Sequence, residues 1–365
     1  METTIIEYEN LKKLNQPFFE EYKEKFDEIL NSGWYILGNA VNSFEKQYAE
    51  FIGAKHCLGV ASGLDALHLA INCLELPKGS EIIVPSNTYI ATILSIVQNG
   101  MRPILVEPDI NTYNIDPIKI EERITENTRV IMVVHLYGKC CQMDAITSIA
   151  KKHNLRIIED CAQAHGAMFK GEMTGAFGDF GAHSFYPTKN LGALGDAGAI
   201  VTDNDEFADK LLYLRNYGSK IKYNNEYVGY NSRLDEVQAG FLSVKLKYLN
   251  EINRHKRHLA DIYINHLTDE VIKPVRDEDY FDVYHIFNIR HQKRDELRDY
   301  MLNKGIKTEI HYPIAPHQQK SMKGIIEGTY PISEQIHQTT LSLPVSYYHT
   351  EEDVHKTIEV VNSFF

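Results

Sequence analysis

The chain has 365 residues, 43% of them hydrophobic and 24% charged, which is enough apolar material for a full core and too little charge for a disordered chain. At about 150 residues per domain it holds two domains, or one large α/β domain with a smaller one appended. Lys and Arg number 38 and Asp and Glu 50, a formal charge of −12. A general nucleic-acid binder displaces counterions with a basic footprint, so that class is excluded, although a local basic pocket for a phosphorylated ligand stays open.

In chain order, residues 17–31 (PFFEEYKEKFDEILN) predict an amphipathic helix with Pro17 near its start and Gly33 just past its end. Residues 56–62, 81–85, 102–107, 129–135 and 155–160 are short β-branched runs that predict buried parallel strands. Helical patterns at 63–75, 88–99, 116–123 and 142–153 lie between them. The alternation predicts an α/β fold with a mostly parallel sheet, whose ligands sit beyond the carboxyl ends of the strands. Residues 233–268 predict one long charged helix bridging two lobes. Then come a strand in YHIFNIRH (284–291), a helix near 292–304 and a last helix from 350, which predict a smaller α+β lobe. The expected division is 1–248 for the large domain and 249–365 for the bridging helix and small domain.

No run of about 18 apolar residues exists, so no membrane span is expected. The opening METTIIEYENLKKLNQ lacks a basic stretch followed by an apolar one, so no export signal is expected and the chain reads as cytoplasmic. Cys57, Cys73, Cys140, Cys141 and Cys161 form an odd set without a C-x-x-C, which predicts reduced thiols rather than disulfides or a zinc site. No metal site is expected from the histidines either. The run GAFGDFG (175–181) does not match the dinucleotide fingerprint G-x-G-x-x-G and reads as turn glycines.

Four segments follow strands or turns and carry chemistry. In SFYPTKNLGALGDAGAI (184–200), Lys189 sits in a turn-rich stretch with Phe185 and Tyr186 as candidate walls. It is either a solvated loop lysine or a nucleophilic amine whose pKa a partly buried pocket lowers. In IIEDCAQAHGA (157–167), Asp160 ends a strand, as a helix N-cap or as the carboxylate that keeps a pyridine nitrogen protonated. Gln163 lies one turn on, in reach of that ring's phenolic oxygen. In ASGLDALHLA (61–70), Ser62, Gly63 and Asp65 open a helix in an S-x-x-D pattern, as a capping box or as a phosphate seat. In VPSNTYIAT (84–92), Tyr89 is a core aromatic or a platform for a planar cofactor.

Six ordered segments, SGWYILG (32–38), SGLDAL, EDCAQAHGA, SFYPTKNLGALGDAGA, YNSRLDEVQAGFL (230–242) and HYPIAPH (311–317), resemble the DegT/DnrJ/StrS family of sugar-nucleotide aminotransferases. The first and fourth are most similar to the members that aminate dTDP-3-oxo-6-deoxyhexoses. The resemblance implies the aspartate-aminotransferase fold (fold type I), pyridoxal 5'-phosphate as cofactor, and a homodimer whose active sites are shared between subunits. It implies that Lys189 holds the cofactor and shuttles the proton, Asp160 pairs with the pyridine nitrogen, Gln163 with the ring oxygen, and Tyr89 stacks on the ring. Ser62, Gly63, Leu64 and Ser184 would bind the phosphate, with Asn231 reaching it from the other subunit. Many members carry Thr where this chain has Leu64, so one hydroxyl contact is lost there. Arg233 would help receive the amino donor's carboxylate, and Trp34, Tyr35, Tyr186, Lys220, His311 and Tyr312 would line the nucleotide-sugar site. Members that dehydrate sugars carry His in place of Lys189, so lysine favours transamination over dehydration or a binding role without turnover. The implied reaction moves an amino group from L-glutamate to C3 of a dTDP-3-oxo-6-deoxyhexose, with C4 amination of a dTDP- or UDP-4-oxo sugar as the alternative.

Overall fold

The computed structural model describes residues 5–365. In chain order the elements are α1 (Leu11–Asn15), α2 (Phe19–Ser32), α3 (Asn39–Ile52), β1 (His56–Val60), α4 (Gly63–Cys73), β2 (Glu81–Pro85), α5 (Ile90–Gln98), β3 (Arg102–Val106), α6 (Pro117–Glu121) and β4 (Thr128–Val134). Next are α7 (Met143–His153), β5 (Arg156–Asp160), β6 (Met168–Phe169), β7 (Glu172–Met173), β8 (Phe180–Ser184), β9 (Gly198–Thr202), α8 (Asp205–Leu214), α9 (Glu236–Leu246) and α10 (Leu249–His266). The chain ends with β10 (Tyr280–Phe281), β11 (Phe287–Arg290), α11 (Arg294–Asn303), α12 (Pro331–Thr339), β12 (Thr340–Leu343) and α13 (Glu351–Asn362).

Seven strands form one sheet in the order β1-β9-β8-β5-β4-β2-β3. Neighbours from β8 to β3 pair in parallel, while β9 runs against both β8 and β1. Both faces are covered, which is why β2 and β4 read as continuous apolar runs. Ile82, Val84, Met132 and Ile158 meet α4, α5 and α8 on one face, while Ile83, Ile131, Val133 and Ile157 meet α7 on the other. A separate core gathers Leu259 and Tyr263 of α10, Phe287 and Ile289 of β11, Leu341 and Leu343 of β12, and Ile358 of α13. Ile6 joins this second core and pairs with Ile306, so the chain's first described residues close onto its last third. Among the described residues no helix is long and apolar enough to cross a membrane.

The predicted strands and helices up to residue 160 are present, with bounds that match or shift by one or two residues at an end. Gly33 at φ +65° closes α2 as expected. The expected single helix over 233–268 is two helices, broken at Lys247–Tyr248. The periodicity misses α1, α3, α8, α12, β8, β9, β12 and the two-residue strands β6, β7 and β10. β8 (FGAHS) and β9 (GAIVT) carry Gly and Ala because helix α4 presses on their ends. A Cβ on Gly198 would stand 2.4 Å from the carbonyl carbon of Ser62. The five cysteines are all buried and free, as expected.

Phe185, just past β8, is fully buried and meets Phe44 and Tyr48 of α3 edge-on at 5.4 and 5.2 Å. Its amide and carbonyl are bound to Ala197 and Ala193, which pins the segment bearing Lys189. Phe185→Ala should destabilise the protein by about 3–5 kcal/mol, read as a lower midpoint in chemical denaturation.

Candidate active site

The carboxyl ends of β1, β2, β4, β5 and β8 open onto one cavity of ≈ 520 Å³, closed on the far side by His285, His311 and Tyr312 of the smaller lobe. Of the sequence-predicted residues, Ser62, Gly63, Leu64, Tyr89, Asp160, Gln163, Ser184, Tyr186, Lys189, His311 and Tyr312 all line it. That volume suits a small cofactor with part of a substrate.

At one end lies the start of α4. Ser62 caps the helix by accepting from Asp65 N–H at 3.1 Å, so the expected cap is real. A Cβ on Gly63 would stand 2.4 Å from Ser184 Cβ, so only glycine lets the helix start meet the end of β8. The free N–H groups and the helix dipole face the cavity beside two hydroxyls, an arrangement that suits a phosphate.

Across the cavity Asp160 is 6% exposed. Its carboxylate accepts from Thr92 Oγ1 at 2.9 Å and from Ala162 N–H at 3.1 Å. Asp160 caps no helix; the bond to Ala162 closes a local turn. Burial raises its pKa, the two hydrogen bonds and Lys189 opposing. A cationic ring nitrogen placed here would restore the ionised form. Gln163 accepts from Tyr137 N–H at 2.7 Å and donates to the Tyr312 hydroxyl at 2.8 Å. Tyr89 is 53% exposed, its ring 5.1 Å from that of Tyr312, so it is not a core aromatic.

Lys189 follows a tight turn in which its N–H donates to Tyr186 C=O at 2.8 Å. Burial lowers its pKa to about 8, the Asp160 carboxylate pulling the other way. Its Nζ lies 3.5 Å from His285 Nε2. Burial holds His285 well below the usual imidazole range, with Lys189 and Lys256 adding to the effect, so the ring is neutral. An amine of this kind captures an aldehyde. A half-buried amine, a buried carboxylate and an anion seat lining one cavity fit pyridoxal phosphate.

Five predicted residues lie outside the cavity. Trp34 is 64% exposed and its indole N–H donates to Ile36 C=O, while Tyr35 is 49% exposed. Lys220 pairs with Asp209 and sits over the Tyr213 ring. Arg233 donates to Asn216 Oδ1 at 2.9 Å, and Asn231 bridges to Asn216. Sequence reading missed Thr92, His285 and Tyr137. Thr92 alone left a signal, a hydroxyl one helical turn after Thr88, to which it is bonded at 2.7 Å.

His135, Glu159 and Cys161 are the one buried group of metal-ligating type among the described residues. Glu159 is already satisfied by His135 Nε2 and the N–H groups of Gly175, Phe177 and Gly178, all at 2.8–2.9 Å.

The sheet and its cavity define a pyridoxal-phosphate enzyme of fold type I. The chain belongs to the DegT/DnrJ/EryC1/StrS aminotransferase family, whose profile matches residues 18–362. It is 50% identical over 361 residues to a dTDP-3-amino-3,6-dideoxy-alpha-D-galactopyranose transaminase of Aneurinibacillus thermoaerophilus, with 99% of each chain covered. A dTDP-3-amino-3,4,6-trideoxy-alpha-D-glucose transaminase of Streptomyces venezuelae is 40% identical, covering 100% of this chain and 97% of that one. The crystal structure of S. venezuelae DesV in complex with a ketimine intermediate has a TM-score of 0.97 at 40% identity, over 99% of both chains. NtdA from Bacillus subtilis with bound PMP has a TM-score of 0.92 at 31% identity, over 99% of this chain and 85% of that one.

Two outcomes follow for the cofactor-free protein. Thr92→Val keeps the shape and removes the hydroxyl bonded to Asp160, so the dissociation constant of pyridoxal phosphate should rise about tenfold in a fluorescence titration. Deprotonation frees the Lys189 amine, so the rate of cofactor capture should rise with pH and level off above about 8; a rate flat between pH 6 and 9 contradicts this.

Proposed function

We propose that this enzyme transfers the amino group of L-glutamate to C3 of a dTDP-3-oxo-6-deoxyhexose, giving a dTDP-3-amino-3,6-dideoxyhexose and 2-oxoglutarate. The observation that carries the reading is the 50% identity over 99% of both chains to the A. thermoaerophilus transaminase, joined to a half-buried lysine facing an acid across one cavity.

Bound here, pyridoxal phosphate supplies an electron sink that lets the carbon bearing the donor's amino group lose a proton. Ser62 Oγ, the Gly63 and Leu64 N–H groups and Ser184 Oγ hold its phosphate. Leu64 offers backbone alone, which suffices because the helix start supplies the field. Asp160 holds the ring nitrogen's proton. One Gln163 Nε2 proton is engaged by Tyr312, which leaves the other for the ring oxygen. Tyr89 covers one face of the ring. Lys189 Nζ takes the proton from the donor's α-carbon and carries it along the same face of the cavity. Its lowered pKa supports this role, since near neutral pH the amine can both accept and return a proton. Tyr186, His311 and Tyr312 line the side left for the keto-sugar.

The proposed assembly is a homodimer with shared sites. Trp34, Tyr35, Lys220, Asn231 and Arg233 then serve nucleotide, phosphate and donor-carboxylate contacts that one chain does not complete. Supporting this, Trp34, Tyr217, Tyr223 and Val228 are 64%, 50%, 88% and 91% exposed, in the same chain segments as Tyr35, Lys220, Asn231 and Arg233. Residues 1–248 are proposed as the large domain and 249–365 as the bridging helix with the small one.

Synthetic dTDP-3-oxo- and dTDP-4-oxo-6-deoxyhexoses, each offered with glutamate, decide the position. Amination of the 3-oxo sugar is expected; turnover confined to the 4-oxo sugar gives the reaction to C4 instead. Lys189→Ala should lower turnover ~10³-fold or more with either substrate, because anchor and proton carrier vanish together.

A further inference from the structure

Tyr137 is the residue in the site whose conformation asks for an explanation. It lies in the turn after β4 at φ +61°, where a bulky side chain is strained unless its surroundings hold it. Three of its groups are held. Its N–H donates to Gln163 Oε1 at 2.7 Å, its carbonyl accepts from Ile286 N–H at 3.4 Å, and its hydroxyl donates to the carbonyl of His311. Gln163 donates in turn to the Tyr312 hydroxyl at 2.8 Å. Because Tyr312 follows His311 in the chain, these bonds form a closed circuit from the sheet edge to the smaller lobe and back.

The rest of the circuit is equally fixed. His311 Nδ1 meets Ser342 Oγ at 2.9 Å, and His337 Nδ1 meets the carbonyl of Tyr312 at 2.6 Å. Tyr137 is 6% exposed, its ring 5.6 Å from that of Tyr113. Gly138 has no room for a side chain, since a Cβ there would stand 2.9 Å from the backbone nitrogens of Tyr284 and His285. The turn is thus packed directly against the 283–285 backbone, with Val283 N–H donating to Gly138 C=O at 2.9 Å.

We propose that Tyr137 is a positioning residue for the sugar-nucleotide half of the reaction, its hydroxyl fixing the His311–Tyr312 pair against Gln163. The inference rests on the proposed function in one respect, that this pair faces the keto-sugar. The two half-reactions lean on the circuit unequally. The amino donor needs Lys189 and the cofactor, and Gln163, the cofactor contact within the circuit, keeps its bond from the Tyr137 backbone N–H when the hydroxyl is gone. The sugar needs a pair borne on a segment whose next residues, Pro313 and Ile314, are exposed.

Tyr137→Phe keeps the ring and the backbone bonds and removes one hydroxyl. In the cofactor-free protein, amide hydrogen exchange at Glu309 and Ser342, whose paired N–H groups hold the base of the His311–Tyr312 segment, should quicken about fivefold or more, with β4 and β5 unchanged. In the holoenzyme, KM for the keto-sugar nucleotide should rise about tenfold, while glutamate converts the bound cofactor within about twofold of the wild-type rate. Unchanged exchange at these amides, or equal losses in the two half-reactions, overturns the proposal. If the wild-type enzyme aminates neither keto-sugar, the functional reading fails, and the exchange measurement still decides the circuit. Should Tyr137→Phe not fold, Ser342→Ala, which frees the His311 ring from its other anchor, should quicken the same amides; no change there also overturns it.

Discussion

An amine taken out of water at the mouth of the sheet is the constraint on which the rest of this structure depends. An ordinary lysine is protonated near neutral pH and has no nucleophilic lone pair. Burial beside β8 brings Lys189 down to about 8, and the fold is arranged to keep it there. Phe185 anchors the preceding residue in the core, and glycine at 192 permits the sharp return, since a Cβ there would stand 2.3 Å from Pro187 C=O. Asp160, the one group opposing the shift, is held across the cavity by Thr92 and Ala162 and not by the lysine. Two opposite charges thus share a cavity without quenching each other, which leaves both for a ligand.

The adjacent acids Glu159 and Asp160 show how strand geometry divides labour. Successive side chains on β5 point to opposite faces, so one acid serves the interior and the other the site. Glu159 is fully buried and collects His135 and the turn at 175–178. His135 donates its backbone N–H to Asp160 C=O at 3.1 Å. The same few residues therefore tie β4, β5 and the chain entering β8 into one rigid edge, from which the site's side chains project.

Much of this was legible in the chain. Continuous apolar runs marked the parallel strands, and the strand-end rule then singled out Ser62, Tyr89 and Asp160, all of which meet in one cavity. What stayed hidden has physical causes. β8 (FGAHS) has no β-branched residue, and β9 (GAIVT) opens on Gly and Ala where Gly198 meets the start of α4, which leaves only Ile200–Thr202 as a β-branched signal. The break at Lys247–Tyr248 carries neither Gly nor Pro, so the pattern ran through it. His285 and Tyr137 act from turns, and their importance comes from neighbours more than twenty positions away. Trp34, Tyr35, Lys220, Asn231 and Arg233 lie off the cavity, on the side that the proposed second subunit would complete.

The contact between Gly63 and Ser184 also reaches into vitamin economy. With no space for even a methyl group between helix and strand, the seat cannot relax to shield its amides when empty of anion. The alcohol form of the vitamer, lacking its phosphoryl group, would leave that positive corner bare. With the phosphate seated as proposed, selection between the phosphorylated and free vitamers would be made at the backbone, upstream of any chemistry at the aldehyde.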